Sequence, residues 1–184
     1  MQFTGTCWVY GDDINTDVIF PGKYTYTLTN LADFPKHALE DLDPEFAKGV
    51  KPGDIVVAGK NFGCGSSREQ AAVCIKLSGV RVIVAKSFAR IFFRNCVNNG
   101  VLPVVCPEAV AAIQKGDTIT VDLETNVITV NSQFPKVLNS QFQFPPLSPS
   151  VTAIIDAGGL IPMLRKKLGT EHLPMPEIKF TGEG

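Results

Sequence analysis

A mixed α/β fold in a single domain is predicted by three observations. Short strand-like apolar runs alternate with helix-like segments through the middle of the chain. An antiparallel hairpin pattern follows them. The 184 residues are 45% hydrophobic and 19% charged, an ordinary globular balance with enough apolar material for one core.

The elements are justified in order. Residues 2–10, "QFTGTCWVY", are β-branched and aromatic and predict a first strand. "GDDINTDVIFPGKY" reads as a polar loop. "LADFPKHALEDLDPEFAKGVKPGD" predicts short helices broken by Pro35, Pro44 and Pro52. "DIVVAGKNFG" is a buried strand, and "SSREQAAVCIKLSG" a helix with Ser66 and Glu69 at capping-box spacing and Gly79 at its end. "VRVIVAKS" and "VLPVVC" predict two more strands, separated by the helix "FARIFFRNCVNNG". "PEAVAAIQKG" has proline at the first turn of a short helix. "DTITVDLETNVITVN" alternates around a turn at Glu124–Asn126, a hairpin. "FPKVLNSQFQFPPLSPS" reads as irregular. A last helix starts near Ser148, is interrupted at Gly158–Gly159, and ends at "MLRKKLG". The domain therefore spans 1–168. The Pro-rich tail 169–184 is expected to be poorly ordered or docked on a partner.

Composition narrows the function. A net charge of −1 gives no global field for nucleic acid or an anionic membrane. No apolar run approaches the roughly 18 residues needed to span a bilayer. Cys7, Cys64, Cys74, Cys96 and Cys106 form no CxxC pair, so no disulfide framework, zinc site or iron–sulfur site is written in this chain. With no signal peptide, a cytoplasmic protein is expected. The two histidines, His37 and His172, are expected as surface residues rather than bases.

The segment "NFGCGSSREQAA" (residues 61–72) carries the chemistry. It fails as a P-loop, because Asn61 follows Gly59-Lys60, and as a dinucleotide fingerprint, because Arg68 stands where a third glycine is needed. It also lacks the glycine of a nucleophile elbow. Two readings remain. Ser66 and Glu69 cap the helix, or glycines, two serines and an arginine at a helix start form a carboxylate or phosphate receptor. Capping alone leaves the glycines, Ser67 and Arg68 without a task. Cys64 near a helix start is a possible nucleophile, but it has no partner base in the sequence; a small residue under the loop is the simpler reading. "DDINTD" starts like a calcium loop at Asp13, Asn15 and Asp17. Val18 and Tyr24 then stand where glycine and glutamate are required, which leaves a polar turn or a rim loop facing a ligand or partner. Arg90 and Arg94 lie one helical turn apart and read as surface or structural charges before anion contacts.

Taken in order, "GDDINTDVIFPGKY", "KNFGCGSSREQAA", "VIVAKSFARIFFRNCVNNGVLPV" and "GDTITVDL" resemble the small subunits of the isopropylmalate dehydratase branch of the aconitase superfamily. The resemblance implies a three-layer β/β/α swivelling domain of the aconitase C-terminal type. It also implies a partner, a large dehydratase subunit that carries a [4Fe–4S] cluster, with no cluster bound by this chain. The implied reaction is the isomerisation of 2-isopropylmalate and 3-isopropylmalate by dehydration and rehydration, in leucine biosynthesis. The open iron acts as Lewis acid on the small dicarboxylate substrate. By the same match Ser66 is the base, working as an alkoxide, and Ser67 and Arg68 hold substrate carboxylate. The segment "KYTYTLT" helps choose the substrate, with Tyr24 and Tyr26 as side-arm contacts; an aromatic ring at Tyr26 suits an apolar isopropyl group better than a second carboxylate. Homoaconitate, methylmalate and dimethylmalate enzymes stay open as alternatives, as does a non-catalytic module that binds a small diacid.

Overall fold

The computed structural model describes residues 1–132 and 139–174. Seven strands form one sheet: β1 (Gln2–Val9), β2 (Ile55–Ala58), β3 (Val82–Ala85), β4 (Leu102–Val105), β5 (Thr118–Asp122), β6 (Val127–Asn131) and β7 (Ser140–Gln143). Their order is β4-β3-β2-β1-β5-β6-β7. The β1 to β4 arm is parallel and the β5 to β7 arm antiparallel, with β1 belonging to both.

Side-chain alternation explains why this one sheet makes two layers. Strands β2 and β3 are buried on both faces. Val56, Ala58, Ile83 and Ala85 pack towards helix α3 (Glu69–Leu77) and helix α4 (Arg90–Asn98), against Ala71, Ala72, Ile75, Phe92 and Cys96. The alternate residues Ile55, Val57, Val82 and Val84 share a second core with Ile119, Val121, Ile128 and Val130 of the antiparallel arm. Strands β5 and β6 alternate between buried and partly exposed positions, so only one of their faces is covered. The antiparallel arm therefore folds back beneath the parallel arm, and helices α3 and α4 lie above: three layers, as expected. Each fully buried Ile or Val contributes roughly 1.5–3 kcal/mol of transfer free energy to this stack.

Three sequence expectations are corrected. "GDDINTDVIFPGKY" is not simply a polar loop. It holds helix α1 (Thr16–Ile19) and a 3₁₀ turn (Gly22–Tyr24), and Ile19 and Phe20 are core residues. Dense polar residues masked a segment that is pinned by its few apolar ones. The following stretch is mostly 3₁₀ and turn: Leu31–His37 forms a 3₁₀ run with Pro35 inside it, and only Phe46–Gly49 (α2) is helical. In the stretch read as irregular, Ser140–Gln143 pairs with β6 as an edge strand, while residues 133–138 lie outside the described residues. The predicted short helix is α5 (Pro107–Ala112). The last helix is two, α6 (Pro149–Asp156), capped by the Ser148 hydroxyl, and α7 (Leu160–Leu168), separated at Gly158–Gly159. Most of the tail, from residue 175 onward, lies outside the described residues.

Candidate active site

The glycine loop after β2 is threaded between two neighbouring segments. On one side, Gly63 N donates to Ile14 O and Thr16 N to Cys64 O, both at 2.8 Å, and the Thr16 hydroxyl donates to the Ser66 carbonyl at 3.0 Å. On the other, Phe62 N donates to Ser87 O at 3.0 Å and Ala89 N to Phe62 O at 2.9 Å. Gly63 is required here: its φ is +77°, and a Cβ would sit 2.1 Å from the Phe92 ring. The "DDINTD" turn is thus the clamp on this loop. Asp13 Oδ1 accepts from Asn61 Nδ2 at 2.9 Å, and Asn15 Oδ1 accepts from Val18 N at 2.9 Å, capping α1.

The capping-box expectation for Ser66 and Glu69 is not met. Helix α3 begins two residues later than that box requires, with Arg68 at the N-cap and no side-chain cap. Glu69 instead accepts a hydrogen bond from Asn99 Nδ2 at 3.0 Å, across to the end of α4. The cross-helix contact outcompetes the local one. Ser66 and Ser67 are exposed, and neither hydroxyl has a hydrogen-bond partner among the described residues. Their serines are free for a ligand.

Arg68 is the fixed member of the group. Its side chain is 17% exposed. Nη1 donates to Thr25 Oγ1 at 3.0 Å, and Nη2 lies 2.5 Å from Asp17 Oδ1. Nε and Nη2 are both buried without a hydrogen bond to the described residues, so the Asp17 contact is an ion pair and not a well-aligned hydrogen bond. Gly22 makes room for this pair: a Cβ there would meet Asp17 Oδ1 at 2.7 Å and Arg68 Nη1 at 3.1 Å. Sequence reasoning missed Asp17, Gly22 and Thr25. One signal was available: an arginine drawn into a loop–helix junction needs an acid, and the nearby acid-rich segment is "DDINTD".

Tyr24 and Tyr26 flank Thr25 but are placed differently. Tyr26 is 74% exposed. Tyr24 is half-buried, its ring 3.8 Å from that of His37. Burial and a hydrogen bond to Glu40 push its phenol above the ordinary value. His37, expected on the surface, is half-buried, with Nδ1 2.7 Å from Glu40 Oε2; His172 is exposed. Lys23 Nζ completes this cluster at 2.8 Å from Glu40.

An open cleft of about 760 Å³ joins the glycine loop to the start of α4, with Cys64, Ser66, Arg90, Ile91 and Arg94 in its wall. Neither α3 nor α4 is capped by a side chain, so two helix starts bring positive potential to this region. Cys64 is half-buried, its thiol 3.5 Å from the Asp13 carbonyl, as suits a small residue beneath the loop. Such a cleft can hold a carboxylate and stabilise an oxyanion at Ser66.

Comparison with known proteins adds family to geometry. The aconitase C-terminal domain profile matches residues 13–109. The chain is 45% identical to the 3-isopropylmalate dehydratase small subunit of Heliobacterium modesticaldum, covering 91% of this chain and 98% of that protein. It is 48% identical to the protein of the same name from Aquifex aeolicus, covering 93% and 99%. The crystal structure of 3-isopropylmalate dehydratase from Methanocaldococcus jannaschii superposes with a TM-score of 0.84 at 37% identity, covering 94% of this chain and 98% of that one.

Proposed function

The chain belongs to the aconitase C-terminal domain family, and we infer that it works as the small subunit of a 3-isopropylmalate dehydratase. This hydro-lyase interconverts 2-isopropylmalate and 3-isopropylmalate by removing and restoring water, a step of leucine biosynthesis. The chain acts with a large subunit. Five free cysteines suit a reducing cytoplasm, and no helix among the described residues is long and apolar enough to cross a membrane.

In this reading a [4Fe–4S] cluster sits in the large subunit. The described residues do not fit one of their own. Cys7, Cys74 and Cys96 are core residues; burial pushes the Cys7 thiol up to about 12 and raises the other two as well. No group of three or more His, Cys, Asp or Glu among the described residues could hold a metal ion. The cluster, when bound by the partner, supplies Lewis-acid chemistry.

The small subunit's own part is binding and proton transfer. Arg68 and Ser67 receive a substrate carboxylate. The Ser66 oxygen takes the proton from the carbon beside that carboxylate as the hydroxyl leaves the neighbouring carbon; on rehydration a proton goes to that neighbouring carbon and the hydroxyl to the first, so the two exchange places. A serine hydroxyl is too weak an acid to act unaided, so the alkoxide needs the α3 terminus and the Arg68 charge close by, with water excluded when the partner closes the cleft. Tyr24 and Tyr26 belong to the segment assigned to side-arm selection. The exposed Tyr26 ring is available to the isopropyl group, while Tyr24, packed at a tilt against His37, fixes the segment.

The observation that carries this reading is a pair of uncommitted, exposed hydroxyls beside an arginine already fixed in place. Reconstitution with a cluster-bearing large subunit under anaerobic conditions tests it. Ser66→Ala should lower kcat by roughly a hundredfold to ten-thousandfold, with little change in KM. Full turnover by that variant removes Ser66 as the base. A wild-type chain that fails to activate the large subunit removes the function.

A further inference from the structure

We propose that the α4 ridge carrying Arg90 and Arg94 is the docking surface for an acidic segment of the large subunit. The proposal rests on the function just inferred and names where the partner sits.

Charge is the first support. Between Glu69 and Glu108 the sequence carries Lys76, Arg81, Lys86, Arg90 and Arg94 and no acidic residue, in a chain whose net charge is −1. The first turn of α4 has no acid either. Arg90 and Arg94 are exposed, and neither makes an ion pair or hydrogen bond with the described residues. Two unneutralised arginines one turn apart match carboxylates spaced along a segment of another chain.

Position is the second support. The ridge borders two hollows. One is the serine cleft; the other, of about 420 Å³, is lined by Phe88, Phe93 and Val105 together with the same two arginines and does not reach Ser66. A small dicarboxylate occupies only the first hollow. A surface that continues past the reaction centre, with Ile91 52% exposed and Val105 37% exposed, suits a protein: apolar contacts flanked by arginines. Arg90, Ile91 and Arg94 line the same cleft as Ser66, so a chain that closes this cleft lies against the ridge.

The test titrates the wild-type chain and the doubly reversed Arg90→Glu, Arg94→Glu chain with the large subunit, measuring Kd directly at several salt concentrations. Reversal should raise Kd at least about tenfold and flatten its dependence on salt between about 50 and 300 mM. The Arg90→Lys, Arg94→Lys chain should bind within about threefold of wild type, because it keeps the charge. Thermal melting of both variants should match wild type, since the two side chains have no partners to lose. Wild-type affinity in the reversed chain overturns the proposal, and if KM for the substrate rises at the same time, the arginines serve the substrate instead. A wild-type chain that does not bind the large subunit defeats the functional reading, and this one with it.

Discussion

Arg68, two residues past the cleft-lining Ser66, and the cleft-lining Arg90–Arg94 pair are in opposite states. Arg68 is tied to Asp17 and Thr25 and largely buried; Arg90 and Arg94 are exposed and untied. Fixing an arginine side chain costs about 1.5–2 kcal/mol of rotamer entropy. For Arg68 that cost is met during folding, so its guanidinium is in place before a ligand arrives. For Arg90 and Arg94 it falls due only when something binds. On the function and docking proposed above, the difference separates two tasks. Chemistry at a reacting carbon requires a group held to within a fraction of an ångström. Docking of a second protein tolerates adjustment, and long free side chains provide it.

The strongest way to break this contrast is to release Arg68. In Arg68→Lys the charge stays, but an ammonium cannot reproduce the planar fork that reaches Thr25 and Asp17 together. Loss of charge-assisted hydrogen bonds worth about 1.5–3 kcal/mol predicts a rise in KM of roughly ten- to a hundredfold in the reconstituted enzyme. The Tm should fall by no more than about 3 °C, because Asp17 is 57% exposed and an exposed pair adds little stability. Steady-state kinetics beside a melting curve checks both numbers. Unchanged kinetics would mean that the fixed geometry has no use.

The sequence made the middle of the fold readable and left the clamp around the site unread. Strands such as Ile55–Ala58 and Val82–Ala85 are continuous apolar runs between glycine and helix signals, and local chemistry suffices to place them. The glycine loop was legible for a related reason: two glycines, two serines and an arginine at a helix start have few other uses. What failed was anything decided across the chain. Glu69 has capping-box spacing from Ser66 but bonds Asn99, thirty residues away. Thr25, between two tyrosines, drew no role from the sequence, yet it is the buried one and the one that holds Arg68. Asp17 resembled a calcium ligand in its local pattern and is an arginine partner in space. The arginines of α4 read as surface charge, which they are; their place in the cleft wall depends on a loop nearly thirty residues earlier.

A milder change sharpens the comparison by disturbing Arg68 without altering it. Gly22→Ala puts a methyl where Asp17 Oδ1 and Arg68 Nη1 now lie. The backbone at Gly22 is not left-handed, so alanine is tolerated there, and the atoms in the way are side-chain ends that can move. The fold should survive with the ion pair displaced. KM should rise about three- to tenfold, equivalent to roughly 1 kcal/mol. Affinity for the large subunit should not change, since the α4 ridge is untouched. If both quantities move together, the two arginine sets are one coupled surface and the contrast is wrong.

The smallest expected effect concerns the far anchor of the segment that holds Thr25. Burial would raise the Glu40 carboxyl pKa, but hydrogen bonds from Lys23, His37 and Tyr24 outweigh it and hold it below the ordinary value of 4.5. The folded chain therefore prefers Glu40 charged, and the unfolded chain takes up its proton first as pH falls. The stability this residue adds is present above pH 4.5 and is lost as pH drops through the lower folded value. Glu40→Gln removes that dependence. The variant should melt no more than a few degrees below wild type at neutral pH, because the Lys23 side of the cluster is exposed and such pairs are worth about 1 kcal/mol or less. Below pH 4.5 the two melting curves should converge. At neutral pH the variant's KM should rise by less than about twofold, because Thr25 keeps its own bond to Arg68 when the anchor behind it slackens. Parallel melting curves down to the acid limit would show that Glu40 is not what holds the segment, and that Thr25 stays in place through the packing of Phe20 and Tyr24 alone.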